Sequence, residues 1–139
     1  MAKISRRAER ELAFIVIFEQ TVTGEAIADI IENARDSRDV ELSVFANSLV
    51  CGVDNHKEEI DEVISSNAKG WSLSRMSKVS LALLRIAVYE LMFEDSIPVS
   101  VSINEAVELA KLYGGKDDPA YVNGVLSSVA KSDKVCEKK

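Results

Sequence analysis

An all-α bundle of six or seven helices is the fold class this sequence predicts, on three observations. Apolar residues recur at helical spacing through nearly all of the 139 positions, and no run alternates in the manner of a strand. Proline occurs twice and glycine six times, too few for a turn-rich β fold. The block at 75–93, RMSKVSLALLRIAVYELMF, is apolar on nearly every face from Leu81 onward, which marks the buried centre of a bundle. A chain of this length, 47% hydrophobic and 29% charged, buries a core without staples and reads as one domain, residues 1–139.

Each element has its own signal. Ser5 reads as the N-cap of a first helix over about residues 6–20, with Leu12, Ile15 and Val16 spaced for burial and T-V-T-G as its break. A second helix, about 25–36, carries Ile27, Ile30 and Ile31 on one side. From about residue 40, Leu42, Phe45, Leu49, Val53, Ile60, Val63 and Ile64 keep helical phase, interrupted near Gly52 and ended by Lys69-Gly70-Trp71. The apolar block at 75–93 stops at Ser96-Ile97-Pro98. Ser102-Ile103-Asn104-Glu105 reads as a capping box, the Glu105 amide donating to the Ser102 hydroxyl and the Glu105 side chain reaching back. Ile103, Ala106, Val107 and Ala110 form the stripe behind it, and Tyr113-Gly114-Gly115 ends that helix. Asp118 followed by Pro119 opens the last helix, with Val122, Val125, Leu126 and Val129 inward.

The charge is uneven. A net charge of −6 argues against a protein that coats nucleic acid over its whole surface, yet Lys3, Arg6, Arg7 and Arg10 crowd the first ten residues. The tail is also basic, with Lys131, Lys134, Lys138 and Lys139, so the two ends make one basic surface if they lie close together. Arginines in the first turn oppose the helix dipole, each at a cost of roughly a few tenths of a kcal/mol. Arg6, Arg7 and Arg10 stand at i, i+1 and i+4 and share a face, where their planar forks suit phosphate and base stacking. A solvated charged face is the plain alternative, since Glu9 and Glu11 dilute the patch.

Catalytic and metal signals are weak. His56 is the single histidine, sits among Asn55, Lys57 and Glu58, and reads as a surface residue. Gly114-Gly115-Lys116 lacks phosphate-loop spacing and follows a helix, so it reads as a C-cap. No enzyme, metal or cofactor is expected. Cys51 and Cys136 form no C-x-x-C pair and read as thiols in a reducing cytoplasm. No signal peptide or membrane span is indicated, and the protein reads as cytoplasmic. Arg85 and Glu90 lie within the apolar helix, where charge must be paired. They are five residues apart, so a carboxylate from another helix, Glu105 or Glu108, is expected for Arg85, with Arg85–Glu105 as the structural ion pair.

Four strings together resemble the NusB family of bacterial transcription antitermination factors. They are SRRAERELAF at 5–14, LLRIAVYEL at 83–91, IPVSVSINEAVELAKLYG at 97–114 and YVNGVL at 121–126. They occur in family order and bracket almost the whole chain; residues 22–70 add helicity and length. The resemblance implies two packed helical subdomains, 1–70 and 71–139. It implies that the protein pairs with NusE, a protein of the small ribosomal subunit, and that the pair binds the boxA element of ribosomal RNA leader transcripts, promoting read-through by RNA polymerase. The partners implied are therefore boxA-type single-stranded RNA, NusE and the RNA polymerase antitermination complex, with self-association into a homodimer left open.

By position, the resemblance assigns Lys3, Arg6, Arg7 and Arg10 to RNA binding and places Phe18 beside the RNA or partner surface. Tyr121, Asn123 and Gly124 match the aromatic-x-N-G motif opening the last helix, where a ring stacks on a base and the glycine permits close approach, with Asp118 shaping that edge. A half-buried Tyr121 anchoring the helix start is the rival reading. Glu9 and Ser127 depart from the family pattern, which favours alanine and aspartate there. The family also includes domains at the front of certain RNA methyltransferases; with no G-x-G cofactor segment up to Lys139, a free-standing factor is expected. The functional alternative is a helical protein-interaction module, or an accessory domain, without direct RNA binding. The NusE surface is placed on the helix at 81–93 and its neighbours.

Overall fold

The computed structural model describes residues 5–38, 43–68, 75–94 and 96–132, and folds them into seven α-helices with no strand among them. The helices are α1 (Arg6–Thr23), α2 (Ile27–Arg38), α3 (Val44–Asn55), α4 (Lys57–Asn67), α5 (Lys78–Phe93), α6 (Val99–Tyr113) and α7 (Asp118–Ala130). The all-α class is as the sequence predicts. The expected boundary between subdomains, at residues 70 and 71, lies outside the described residues.

α1 begins as predicted, with the Ser5 hydroxyl accepting from the Ala8 amide at 3.0 Å. It runs three residues beyond the expected end. The Thr21 and Thr23 hydroxyls donate to the Ile17 and Glu19 carbonyls, at 2.7 and 2.9 Å, so T-V-T stays helical. Gly24 is the true stop: at φ 76° it takes the left-handed conformation, and its amide donates to the Gln20 carbonyl at 2.7 Å.

The break between α3 and α4 falls at His56, not at Gly52. His56 closes α3 through its amide on the Gly52 carbonyl (3.1 Å) and opens α4 through its carbonyl, which accepts from Ile60 (2.9 Å). Gly52 lies inside α3 because the Tyr89 ring rests on it. A Cβ there would stand 2.2 Å from a ring carbon.

α5 is the hub, packed against α1, α3, α4, α6 and α7. That environment explains its apolar faces: residues 81–88 are all buried. The inward set predicted for the last helix, Val122, Val125, Leu126 and Val129, is buried in α7.

The predicted capping box does not form. α6 starts at Val99, with Pro98 at the cap position, so Ser102 and Glu105 lie within the helix. Buried Ser102 donates to Glu90 at 2.8 Å, and Glu105 faces α1. Asp118 does not cap its own helix either. Its carboxylate turns back to accept from Ser77 Oγ (2.9 Å), Ser80 Oγ (2.7 Å) and the Gly115 amide (2.7 Å).

Two Arg–carboxylate pairs are set against the core. Arg85 meets Asp61 of α4 through both faces of its fork, at 2.9 and 3.0 Å, and donates to Thr21 of α1 at 3.1 Å. The expected Arg85–Glu105 pair is therefore corrected to Arg85–Asp61. Five residues along a helix turn the side chain by about 140°. Arg85 thus looks toward α4 and the end of α1, while Glu90 looks toward the start of α1 and α6. There Glu90 takes the fork of Arg10 at 2.9 and 3.0 Å.

Candidate nucleic-acid interface

The predicted basic start of α1 borders an open cleft of about 610 Å³, lined also by Phe45 of α3, by Pro98 before α6, and by Val101 and Glu105 within it. Arg6, Arg7 and Arg10 all line it. Ser43 ties α3 to α1 beside the cleft: its hydroxyl caps α3, accepting from Ala46 at 3.1 Å, and donates to Glu9 Oε2 at 2.7 Å. This fixes Phe45 under the arginines. The Arg6 guanidinium lies 3.9 Å from the Phe45 ring centroid, and that of Arg10 lies 5.4 Å away.

The three arginines are not equivalent. Arg6 and Arg7 have side chains 59% and 57% exposed, whereas Arg10 is 6% exposed. Both arms of the Arg10 fork bond Glu90, so Arg10 anchors α1 to α5 beneath the cleft. The sequence held a signal for this: Arg10 precedes Ala13, Phe14 and Ile17 at i+3, i+4 and i+7, all buried, so it shares their inward face.

Each exposed arginine also has a carboxylate. Arg6 is 3.7 Å from Glu9. Arg7 Nε and a terminal nitrogen donate to Glu105 at 2.9 and 2.8 Å. The hydrogen bond from Arg7 holds the Glu105 carboxyl below its usual range, against the opposing effect of burial, and the same bond raises Arg7. With Glu94 on the rim, the cleft is charge-compensated in the free protein, not a bare positive patch. Charge at the helix start is tolerated because it is locally neutralised.

The second predicted group lies at the start of α7. Tyr121 is half-buried against the core, as in the rival reading of this residue, and burial raises its hydroxyl. It separates two hollows, one of about 340 Å³ beside Asn67 and Gly124, the other of about 220 Å³ beside Met76 and Asp118. Asn123 and Gly124 are exposed, and a Cβ on Gly124 would meet nothing within 4 Å. Burial pushes the Asp118 carboxyl up, but the hydrogen bonds from Ser80, Gly115 and Ser77 outweigh it, and the net shift is down. Asp118 is thus an ionised tie inside the α6–α7 turn.

Phe18 is half-buried, its ring 5.7 Å from that of Phe14. It packs against the core and does not line the arginine cleft. Lys3, Lys134, Lys138, Lys139 and Cys136 lie outside the described residues; Cys51 is a half-buried free thiol. His56 stacks on Phe93 with ring centroids 4.2 Å apart and pairs with Glu59 at 3.2 Å. The helix expected to carry the NusE surface, α5, is buried over most of its length and exposes Phe93 at its end. Phe45 and the Arg7–Glu105 pair were not legible in the sequence, because both are contacts between helices far apart along the chain.

Among the described residues, no cluster of three or more His, Cys, Asp or Glu is arranged to hold a metal, and no helix is long and apolar enough to cross a membrane. Fold and cleft together define a helical recognition protein whose most distinctive surface is a guanidinium-lined groove at a helix start. The NusB family model matches residues 7–131. The chain is 39% identical to transcription antitermination protein NusB of Clostridium novyi (strain NT), over 93% of this chain and all of that protein. It is 44% identical to the protein of that name from Trichlorobacter lovleyi, over 89% of each. Its fold is similar to T. maritima NusB, with a TM-score of 0.84 and 34% identity over 99% of this chain and 98% of that one. It is also similar to a NusB chain in a crystal structure of antitermination factors NusB and NusE in complex with double-stranded RNA (TM-score 0.80, 29% identity, 91% of this chain and 96% of that one). The chain belongs to the NusB family, a family of transcription antitermination factors and not of enzymes.

Proposed function

We propose that this protein, paired with NusE, binds boxA-type single-stranded RNA of ribosomal RNA leader transcripts in the cytoplasm, and promotes read-through as part of the RNA polymerase antitermination complex. The observation that carries the reading is the cleft itself, where the exposed Arg6 fork lies over the Phe45 ring and the exposed Arg7 fork lines the same cleft. Phosphates engage the forks, and an unstacked base has an aromatic face beside them. Tyr121, with Asn123 and Gly124 beside it, offers a second contact for the strand. Arg10 and Asp118 act from below, Arg10 by holding α1 and Asp118 by holding the turn before α7. The similar NusB–NusE structure with RNA supports this reading.

Fluorescence anisotropy on a boxA-type RNA, with and without NusE, tests it. The reading predicts salt-dependent RNA binding that NusE strengthens. Binding to NusE with no retention of RNA would instead favour the protein-interaction module.

A further inference from the structure

Resting on the RNA-binding reading of the cleft, we propose that Glu105 is a displaceable latch on Arg7: its carboxylate fills the anion position of the Arg7 fork in the free protein, and an RNA phosphate must replace it. Glu105 thereby lowers the affinity of every polyanion that uses the Arg7 fork, so that only a strand with further contacts binds well.

Three observations lead here. The Arg7–Glu105 contact is bidentate, at 2.9 and 2.8 Å, the same two-pronged geometry a phosphate takes on a guanidinium. The pair joins α1 to α6, and both residues line the cleft, so a strand entering it meets both groups. The neighbouring Arg10–Glu90 pair supplies a contrast. It is buried and bonded further by Ser102, and opening it would strand charge in the core. The Arg7 fork is 57% exposed while Glu105 beneath it is 13% exposed, so a ligand reaches the pair from the arginine side. It cannot do so at Arg10, which is 6% exposed. One arginine is therefore locked and its neighbour exchangeable.

Exchange leaves Glu105 as an uncompensated carboxylate at the wall. A ligand with a single phosphate swaps one anion for another and gains little. A strand that also engages Arg6, Phe45 and a second patch meets that cost once and recovers it elsewhere. The latch therefore disfavours weak, sequence-independent binding.

The test measures anisotropy of a labelled boxA-type RNA and of a scrambled RNA of equal length against wild type, E105Q, R7A and the double variant. Glu105→Gln is expected to tighten both RNAs at low salt by about 1.5- to 5-fold, the range of an exposed charge pair. The salt slope should change by less than about 0.7, the value of one phosphate contact on a single strand, because Arg7 meets the phosphate in both proteins. Both RNAs should gain by a similar factor, and neither gain should survive in the Arg7→Ala background. Unchanged or weaker binding by E105Q, with wild-type binding intact, overturns the latch and leaves the RNA reading standing. Absence of salt-dependent binding by wild type removes both. A readout on the unaltered protein covers a misfolded variant. The Arg7 Nε–H resonance should leave its free-state position as boxA-type RNA is added, and a resonance unmoved at saturation overturns the latch.

Discussion

Glu90 illustrates how single charged residues organise this molecule. It is 1% exposed, takes both arms of Arg10 and the Ser102 hydroxyl, and so ties α1 and α6 to α5. Glu90→Gln leaves the Arg10 guanidinium buried without its counter-charge, and should destabilise the fold by about 3–5 kcal/mol in urea denaturation. Replacing Arg7, whose fork is exposed, by alanine should move the denaturation midpoint far less. Glu9, out of place among arginines in the sequence, also has a structural use. It accepts from Ser43 and so joins the start of α1 to the cap of α3. Local spacing showed that Arg85 and Glu90 needed partners. It could not name Asp61 and Arg10, because pairing between helices is decided by how they pack.

At the scale of elements, the periodic apolar faces were the most legible part of the chain. The inward residues of α7 and the all-round burial of α5 follow directly from spacing and composition. Helix ends were less legible where tertiary contacts set them. Gly52 read as a breaker and is instead the floor under Tyr89. Gly52→Ala should therefore destabilise by about 1–3 kcal/mol through overpacking, and a second change, Tyr89→Ala, should make the alanine far less harmful. Ser102 read as a cap and became a buried donor because Glu90 stood opposite it. The Asp118 tie between the α6–α7 turn and the start of α5 carries a pH signature. Its carboxyl titrates lower in the folded chain than in the unfolded one. Its stabilisation is thus complete above the ordinary aspartate value, about 3.9, and is lost as pH falls through the lowered one. Urea midpoints measured down through this range should fall less steeply for Asp118→Asn than for wild type.

At the scale of the whole molecule, five helices pack on α5 and bring the start of α1, Phe45 and α6 around one cleft. The sequence marked the arginines, and the family resemblance supplied their use. Their division of labour needed the fold: Arg10 is inside, Arg6 stacks, and Arg7 is held by Glu105. The central claim is that the exposed forks of Arg6 and Arg7 contact RNA phosphates. The most direct measurement is the salt dependence of boxA-type RNA affinity, with NusE present, for wild type and for Arg6→Ala plus Arg7→Ala. The account predicts weaker binding and a log–log slope flatter by about 1.4, two phosphate contacts at about 0.7 each. An affinity and slope equal to those of wild type would contradict it.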